Sequence, residues 1–263
     1  MNGKKRLVIP LILIVAVLIF VLAWQKDAVF FVKNIIGKEG KVYSQFNEEL
    51  LIRNFFNDRH GGIFLDVGSN DYKNISTTFY LEEKLGWRGI AVDALAEFAD
   101  GYLRHRPNTK FCNFIVTDHS GTIEPFYRLA NDSGRSSLNK ETMFEGAQKH
   151  RISKEFETIY VPTITLDELL QRNNISEIDF LSMDIEGSEL LALAGFNIEK
   201  FKPKLVCIEK GGSRAKGILD YFVKHNYERI EKYRLYDHLN WYFRPKLADK
   251  NRKSPGNQPR QSQ

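Results

Sequence analysis

The chain has 263 residues, of which 43% are hydrophobic, and its formal net charge is +5. This length is enough for one domain with a sizeable core. The positive charge lies at the two ends, because residues 1–41 carry seven Lys or Arg against two Asp or Glu and residues 245–263 carry five against one. The residues between them are net negative, so we do not expect nucleic acid as a partner. Cys112 and Cys207 lie in apolar runs and predict buried thiols, and no Cys/His spacing predicts a metal site.

The first predicted element is an apolar helix. After a basic N-terminus at residues 1–6, residues 7–24 carry no charge and predict a helix about 27 Å long, close to the hydrocarbon thickness of a bilayer. A cleaved signal peptide is the alternative, but the run is long for one and lacks a good cleavage site. We therefore expect an uncleaved single-pass membrane anchor, followed by a connector over residues 25–41. Lysines flank the run on both sides, so charge does not fix its orientation.

From about residue 42 to residue 245, runs with the periods of strands and helices alternate. Strands are predicted at 63–67, 89–92, 110–116, 178–183 and 204–208, and helices at about 44–57, 76–85, 95–105, 188–193 and 215–225. The runs at 227–233 and 239–243 predict a closing antiparallel hairpin. This alternation is typical of one α/β domain with a mainly parallel, doubly wound sheet.

Two stretches do not fit the alternation. Residues 129–157 are polar and predict a long loop over the site with a short helix near 141–149. A loop of this length either covers a site or lacks order. The polar residues 246–263 predict a disordered tail.

Acidic side chains end four of the predicted strand segments: Asp66, Asp93, Asp118 and Asp184. One acid after a strand is commonplace as a helix N-cap. Four of them predict one ligand-binding rim, because the carboxyl ends of parallel strands meet at the same edge of a sheet. The turn at Gly68 lets a ligand approach the backbone closely.

The position of Asp93 after the second strand is where a carboxylate holds the two hydroxyls of a ribose. No G-x-G-x-x-G follows the first strand, which disfavours a dehydrogenase. Asp184 and Glu186 also form an acid-x-acid pair of the kind that binds a metal with a nucleotide diphosphate. A membrane-anchored glycosyltransferase therefore remains an alternative.

A set of short motifs spans residues 43–210 in a fixed order. They are 43–49 (YSQFNEE), 64–71 (FLDVGSND), 76–82 (STTFYLE), 86–89 (GWRG), 165–169 (TLDEL), 178–189 (IDFLSMDIEGSE) and 207–209 (CIE). In order and spacing they resemble the FkbM-type methyltransferases, which use S-adenosylmethionine (SAM). The resemblance implies a class I, Rossmann-like fold and methylation of a hydroxyl on a sugar, glycan or other metabolite. Because SAM is made in the cytosol, we expect the domain on the cytosolic side of the membrane.

The resemblance also assigns expected roles to residues of the rim. The expected cofactor-binding residues are Asp66, Gly68, Ser69 and Asn70 along the methionine part, Asp93 at the ribose, and Asn113 and Asp118 around the adenine. Asp184 is expected near the transferred methyl group, either as the base for the alcohol proton or as a positioning group. After Asp184, Glu186 and Glu209 are the next candidates for this catalytic role.

The chain departs from the family pattern at two positions. Tyr72 stands where the family usually has Gly, two residues after Asn70, and Thr77 stands where it usually has Asn. If the backbone at Tyr72 needs a positive φ, its side chain is strained there. A non-catalytic relative with a decayed SAM site is therefore a second alternative.

Overall fold

The structure is a computed structural model that describes residues 42–130, 132–149, 151 and 155–247. The predicted anchor at 7–24, the connector at 25–41 and the tail from residue 248 lie outside the described residues. Within the described part of the chain, none of the helices combines the length and the apolar character needed to cross a bilayer.

Helices and strands alternate through most of the described chain. In chain order the elements are α1 (Glu48–Phe56), β1 (Ile63–Val67), α2 (Phe79–Leu85), β2 (Arg88–Asp93), α3 (Ala99–His105), β3 (Thr109–Asn113), β4 (Ile115–Val116), β5 (Ile123–Leu129), α4 (Lys140–Lys149), β6 (Phe156–Ile164), α5 (Leu166–Arg172), β7 (Phe180–Met183), α6 (Glu189–Ala194), α7 (Ile198–Phe201), β8 (Leu205–Glu209), α8 (Ala215–Lys224), β9 (Tyr227–Arg229) and β10 (Asn240–Pro245). Short 3₁₀ turns precede α3 and α8 and follow β9.

In the described part of the chain, seven strands form the main sheet in the order β3-β2-β1-β7-β8-β10-β9. The first five are parallel, and β10 pairs antiparallel with both β8 and β9. The predicted parallel sheet with an antiparallel C-terminal hairpin is therefore confirmed. From β1 the chain moves outward to β2 and β3, and it later returns on the other side of β1 with β7. Ligand crevices open at such a reversal of strand order.

The sheet is buried on both faces, which explains why its strands are apolar runs without alternation. On one face Leu65 and Leu181 pack with helices α5 to α8. On the other face Phe64 and Phe180 pack with α1, α2 and the buried ring of Trp87. Both cysteines are buried and free, as the sequence predicts.

The predicted loop at 129–157 holds more structure than its polarity indicates. Helix α4 confirms the predicted short helix, but it lies inside a β-hairpin in which β5 pairs antiparallel with β6. The predicted strand at 110–116 divides, and β4 leaves the main sheet to pair with β6. We call residues 123–164 the insertion. Its strands are missing from the sequence prediction because β5 and β6 are half-exposed and do not alternate cleanly between apolar and polar residues. Helix α5, which follows the insertion, was not predicted either.

Tyr72 causes no strain in this fold. It is not among the described residues with a positive φ. In this turn the positive φ, of 50°, is at Asn70 instead. The Tyr72 ring stacks on His105 with centroids 4.7 Å apart, outside the crevice. Gly101 leaves room for it, because a Cβ there would lie 2.6 Å from the ring.

Candidate active site

Two adjoining cavities lie beyond the carboxyl ends of β1, β2 and β7. The apolar cavity, of about 550 Å³, is lined mainly by Val67, Val92, Leu95, Phe114, Ile115, Val116, Phe126 and Leu138. The polar cavity, of about 810 Å³, is lined by polar groups that include Gln45, Glu48, Asp66, Ser69, Thr77, Arg135, Ser182 and Asn240. Gly68, Asn70, Gly134, Asp184 and Glu186 line both cavities.

Gly68 marks the point where the two cavities meet. It has φ +77°, and a Cβ on it would overlap the backbone carbonyl of Asp184. The amides of Gly68 and Ser69 donate to the Val92 carbonyl at 2.9 and 3.3 Å. The turn after β1 is thus pressed between the ends of β2 and β7, and only glycine fits at its centre.

The carboxylate of Asp93 is fixed by two backbone amides. One oxygen accepts from Asn70 N and the other from Leu95 N, both at 2.9 Å. Each oxygen keeps a lone pair for a ligand in the apolar cavity, which the residue lines. Protein encloses the group on its other sides, and this burial raises the pKa of Asp93 to about 6.

Asp66 lies deeper, on the floor of the polar cavity. Its carboxylate accepts from Thr78 Oγ1 at 2.7 Å, and burial raises its pKa to about 6. Across the sheet it is in register with Ser182, whose hydroxyl accepts from Thr77 Oγ1 at 3.1 Å. Nearby, the buried hydroxyl of Ser69 has no hydrogen-bond partner in the described part of the chain. That hydroxyl remains available to a ligand.

The candidate catalytic acids follow β7 and β8. Asp184 and Glu186 line both cavities. Burial first, and then the neighbouring acids, raise the pKa of Asp184 well above its usual range and that of Glu186 to about 7. Glu209 lies behind them and lines neither cavity.

Asp184 also belongs to a trio of carboxylates. One oxygen each from Asp184, Glu189 and Glu209 falls within 4.8 Å of the others, a spacing that suits a cation. The guanidinium of Arg214 already lies 3.3 Å from Glu189 and 3.8 Å from Glu209. The chain therefore supplies part of the compensating positive charge itself.

Two predicted cofactor residues do not reach the cavities. The amide of Asn113 donates to the carbonyls of Asp93 and Ala94 at 3.0 and 2.8 Å and so supports the turn after β2. Asp118 is exposed and pairs with His119 at 2.7 Å. Of the expected adenine region at 113–118, only the apolar residues 114–116 line the apolar cavity.

Several cavity residues were not predicted from the sequence. Phe126, Gly134, Arg135 and Leu138 come from the insertion, which lacked any predicted strand. Asn240 comes from β10 and no motif marks it. Gln45 and Glu48 do lie in the first FkbM-like motif, which is the signal that points to them.

A family comparison decides the class of enzyme. The family model described as "Methyltransferase FkbM domain" matches residues 66–229. The chain belongs to the FkbM methyltransferase family. It is therefore a SAM-dependent methyltransferase, and the family favours this over the glycosyltransferase alternative. No curated protein matches the chain significantly.

Solved structures of other methyltransferases resemble the FkbM domain weakly. A TehB-like SAM-dependent methyltransferase from Corynebacterium glutamicum shares 14% identity over 85% of this chain and 99% of its own, with a TM-score of 0.43. A precorrin-6y C5,15-methyltransferase from Geobacter metallireducens shares 8% over 74% and 84%, with a TM-score of 0.40. A 1,6-didemethyltoxoflavin-N1-methyltransferase from Burkholderia thailandensis, solved with S-adenosylhomocysteine, shares 10% over 85% and 87%, with a TM-score of 0.37.

Substituting Gly68 tests the close approach of the two turns. We expect Gly68→Ala to abolish binding of S-adenosylhomocysteine, measured by isothermal titration, because the new Cβ displaces the turn or the Asp184 backbone. Gly61→Ala is the matched control, since Gly61 also has a positive φ of +69° but nothing lies within 4 Å of its Cβ position. It should lose only about 1 kcal/mol of stability and keep its affinity. Equal affinity in the two variants would contradict the close contact between Gly68 and the Asp184 carbonyl.

The pKa of Asp93 predicts how affinity changes with pH. Only the ionised carboxylate accepts two ribose hydroxyl protons, so affinity for S-adenosylhomocysteine should fall as the pH drops through about 6. Asp93→Asn should bind about tenfold more weakly at pH 8, the value of a lost charged hydrogen bond, and should vary less with pH. Asp118→Asn, outside the cavities, should match the unsubstituted protein. Titrations from pH 5 to 8 that show no difference between Asp93→Asn and Asp118→Asn would contradict this role.

Proposed function

We propose that this domain transfers the methyl group of SAM to a hydroxyl of a polar acceptor, a sugar, a glycan or a similar metabolite. The observation that carries the proposal is the shared wall of the two cavities. There Asp184 and Glu186 separate a ribose-binding carboxylate in an apolar cavity from a second cavity rich in polar groups. An adenosyl group and a hydroxylated acceptor need these two different environments.

The apolar cavity suits the adenosine part of SAM. The rings of Phe114 and Phe126 offer apolar surface for adenine, and Asp93 offers acceptors for both ribose hydroxyls. Gly68 lines both cavities, on the path from the ribose to the sulfur. The unpartnered hydroxyl of Ser69 and the floor carboxylate of Asp66 then meet the amino-acid end.

SAM supplies an activated methyl group on a positively charged sulfur. The carboxylates of Asp184 and Glu186 are placed to stabilise this positive charge. They also orient the acceptor hydroxyl for in-line approach to the methyl group. Such orientation lowers the activation barrier more than contact alone does. Glu186, with its pKa of about 7, is suited to take the alcohol proton near neutral pH.

The lining of the polar cavity favours a hydroxyl-rich acceptor. Gln45, Thr77 and Asn240 provide both donors and acceptors of hydrogen bonds. Thr77 carries a hydroxyl where the family usually has Asn, so the cavity keeps its polarity at that position. Gly134 and Arg135 bring the insertion over the opening, and the insertion is our candidate for the element that selects the acceptor.

The apolar run at 7–24 supports membrane attachment of this domain by a single helix. A domain held on the cytosolic side would meet SAM where it is made. Both features belong to the proposal and rest on the sequence, because the run lies outside the described residues.

The test uses the purified full-length chain, methyl-labelled SAM and a panel of methyl glycosides of hexoses and deoxyhexoses. We expect label in the glycoside fraction, and we expect Asp184→Asn to lower the rate by about 100-fold or more while it still binds S-adenosylhomocysteine. Asp179→Asn is the control, because Asp179 precedes β7 at the end opposite Asp184, accepts from Ile63 N at 2.9 Å and lines neither cavity.

Failure of the chain to bind S-adenosylhomocysteine at millimolar concentration would overturn the proposal and favour a relative with a decayed SAM site. Binding without transfer to any glycoside would overturn the sugar acceptor. Transfer that Asp184→Asn leaves unchanged would overturn the role of Asp184.

A further inference from the structure

The turn over residues 184–188 has a strained backbone. Glu186 has φ 47° and Gly187 has φ 105°. A left-handed conformation costs a non-glycine residue about 1 kcal/mol or more. Since this turn carries both Asp184 and Glu186 into the cavities, other groups must hold its shape.

Glu189 stabilises the turn by accepting hydrogen bonds from its backbone amides. Its side chain is 0% exposed, and one carboxylate oxygen accepts from the amides of Ile185 at 3.3 Å and Gly187 at 3.1 Å. Burial of a carboxylate is costly unless it is paired and hydrogen-bonded. The buried position therefore indicates a specific role for Glu189 in the turn.

Arg214 adds positive charge beside Glu189 and Glu209, by proximity rather than by a hydrogen bond. Its Nε lies 3.3 Å from the second oxygen of Glu189, and its Nη2 lies 3.8 Å from Glu209. Two glycines make room for the guanidinium. A Cβ on Gly187 would lie 3.1 Å from Nη1, and one on Gly211 would overlap Nη2. The guanidinium thus fits between the turns that follow β7 and β8.

Ser137 of the insertion stabilises the same turn by donating a hydrogen bond to a backbone carbonyl. It is fully buried, and its hydroxyl donates to the Glu186 carbonyl at 2.9 Å and accepts from Asn139 N at 3.0 Å. Its backbone is tied to Tyr127 by two hydrogen bonds of 3.0 and 3.1 Å. The carbonyl and the amides of one turn are therefore fixed by two different parts of the chain.

We propose that Glu189 and Ser137 are positioning residues for methyl transfer, which together hold the 184–188 turn so that Asp184 faces the transferred methyl group. The proposal rests on the proposed function, since it takes the methyl group to lie beside Asp184. Neither residue is assigned a role by the FkbM resemblance.

The test compares two ligands by isothermal titration of the full-length chain. S-Adenosylhomocysteine lacks the methyl group, whereas sinefungin carries an ammonium group at about that position. With the turn in place, sinefungin should bind about tenfold more tightly, because its ammonium meets Asp184 and Glu186. The ratio of the two dissociation constants therefore reports the placement of the acids without any acceptor.

We expect Glu189→Ala and Ser137→Ala each to reduce this preference to about twofold while affinity for S-adenosylhomocysteine changes by about threefold or less. Glu189→Gln keeps an oxygen for the two amides and should retain most of the preference. The control Asp179→Asn should leave it unchanged. If Glu189→Ala fails to fold, as judged by its thermal unfolding, Ser137→Ala and Glu189→Gln carry the test.

Folded Glu189→Ala and Ser137→Ala proteins that keep the full preference would overturn the proposal, and so would a failure of Glu189→Gln to rescue it. If the unsubstituted chain binds S-adenosylhomocysteine without preferring sinefungin, Asp184 is not at the methyl position and the proposal also fails. If that chain binds neither ligand, the proposed function itself is wrong. The affinity for S-adenosylhomocysteine therefore distinguishes the two failures.

Discussion

The site depends on one close approach between two backbone turns. Parallel pairing of β1 with β7 brings Gly68 against the Asp184 carbonyl, and no side chain fits between them. This contact places the expected cofactor turn and the candidate catalytic acid at one point of the crevice. The apolar cavity opens on one side of it and the polar cavity on the other. The ends of β2 and β8 then add Asp93 and Glu209 around that point.

The second constraint is charge. Asp66, Asp93, Asp184 and Glu186 are gathered around one crevice, and their pKa values all lie above the usual range for carboxyl groups. Such a site is costly when it has no cation beside it, because burial disfavours the charged form of each acid. A sulfonium ligand relieves that cost. The same crowding that opposes stability thus favours a positively charged cofactor and keeps a base available near neutral pH.

Much of this could be predicted from the sequence, because parallel strands buried on both faces leave long apolar runs and end at one rim. The apolar runs that end at Asp66, Asp93 and Asp184 predicted the parallel sheet, and these three acids were correctly predicted at its rim. Asp118 was misplaced at the rim, since its strand leaves the main sheet as β4 and turns the side chain to solvent. Phe126 lies in β5 and Arg135 in the turn after it. Their positions depend on the pairing of β5 with β6, a long-range interaction that these half-exposed strands do not signal. The strain suspected at Tyr72 is absent, because Asn70 takes the positive φ.

The most direct test of this account is a crystal structure of the full chain with S-adenosylhomocysteine. The account predicts adenine between Phe114 and Phe126, both ribose hydroxyls on Asp93, and the sulfur over Gly68 with the Asp184 carboxylate facing the side from which the methyl group leaves. A ligand bound elsewhere would contradict it. So would a ligand in the crevice with its sulfur turned away from Asp184.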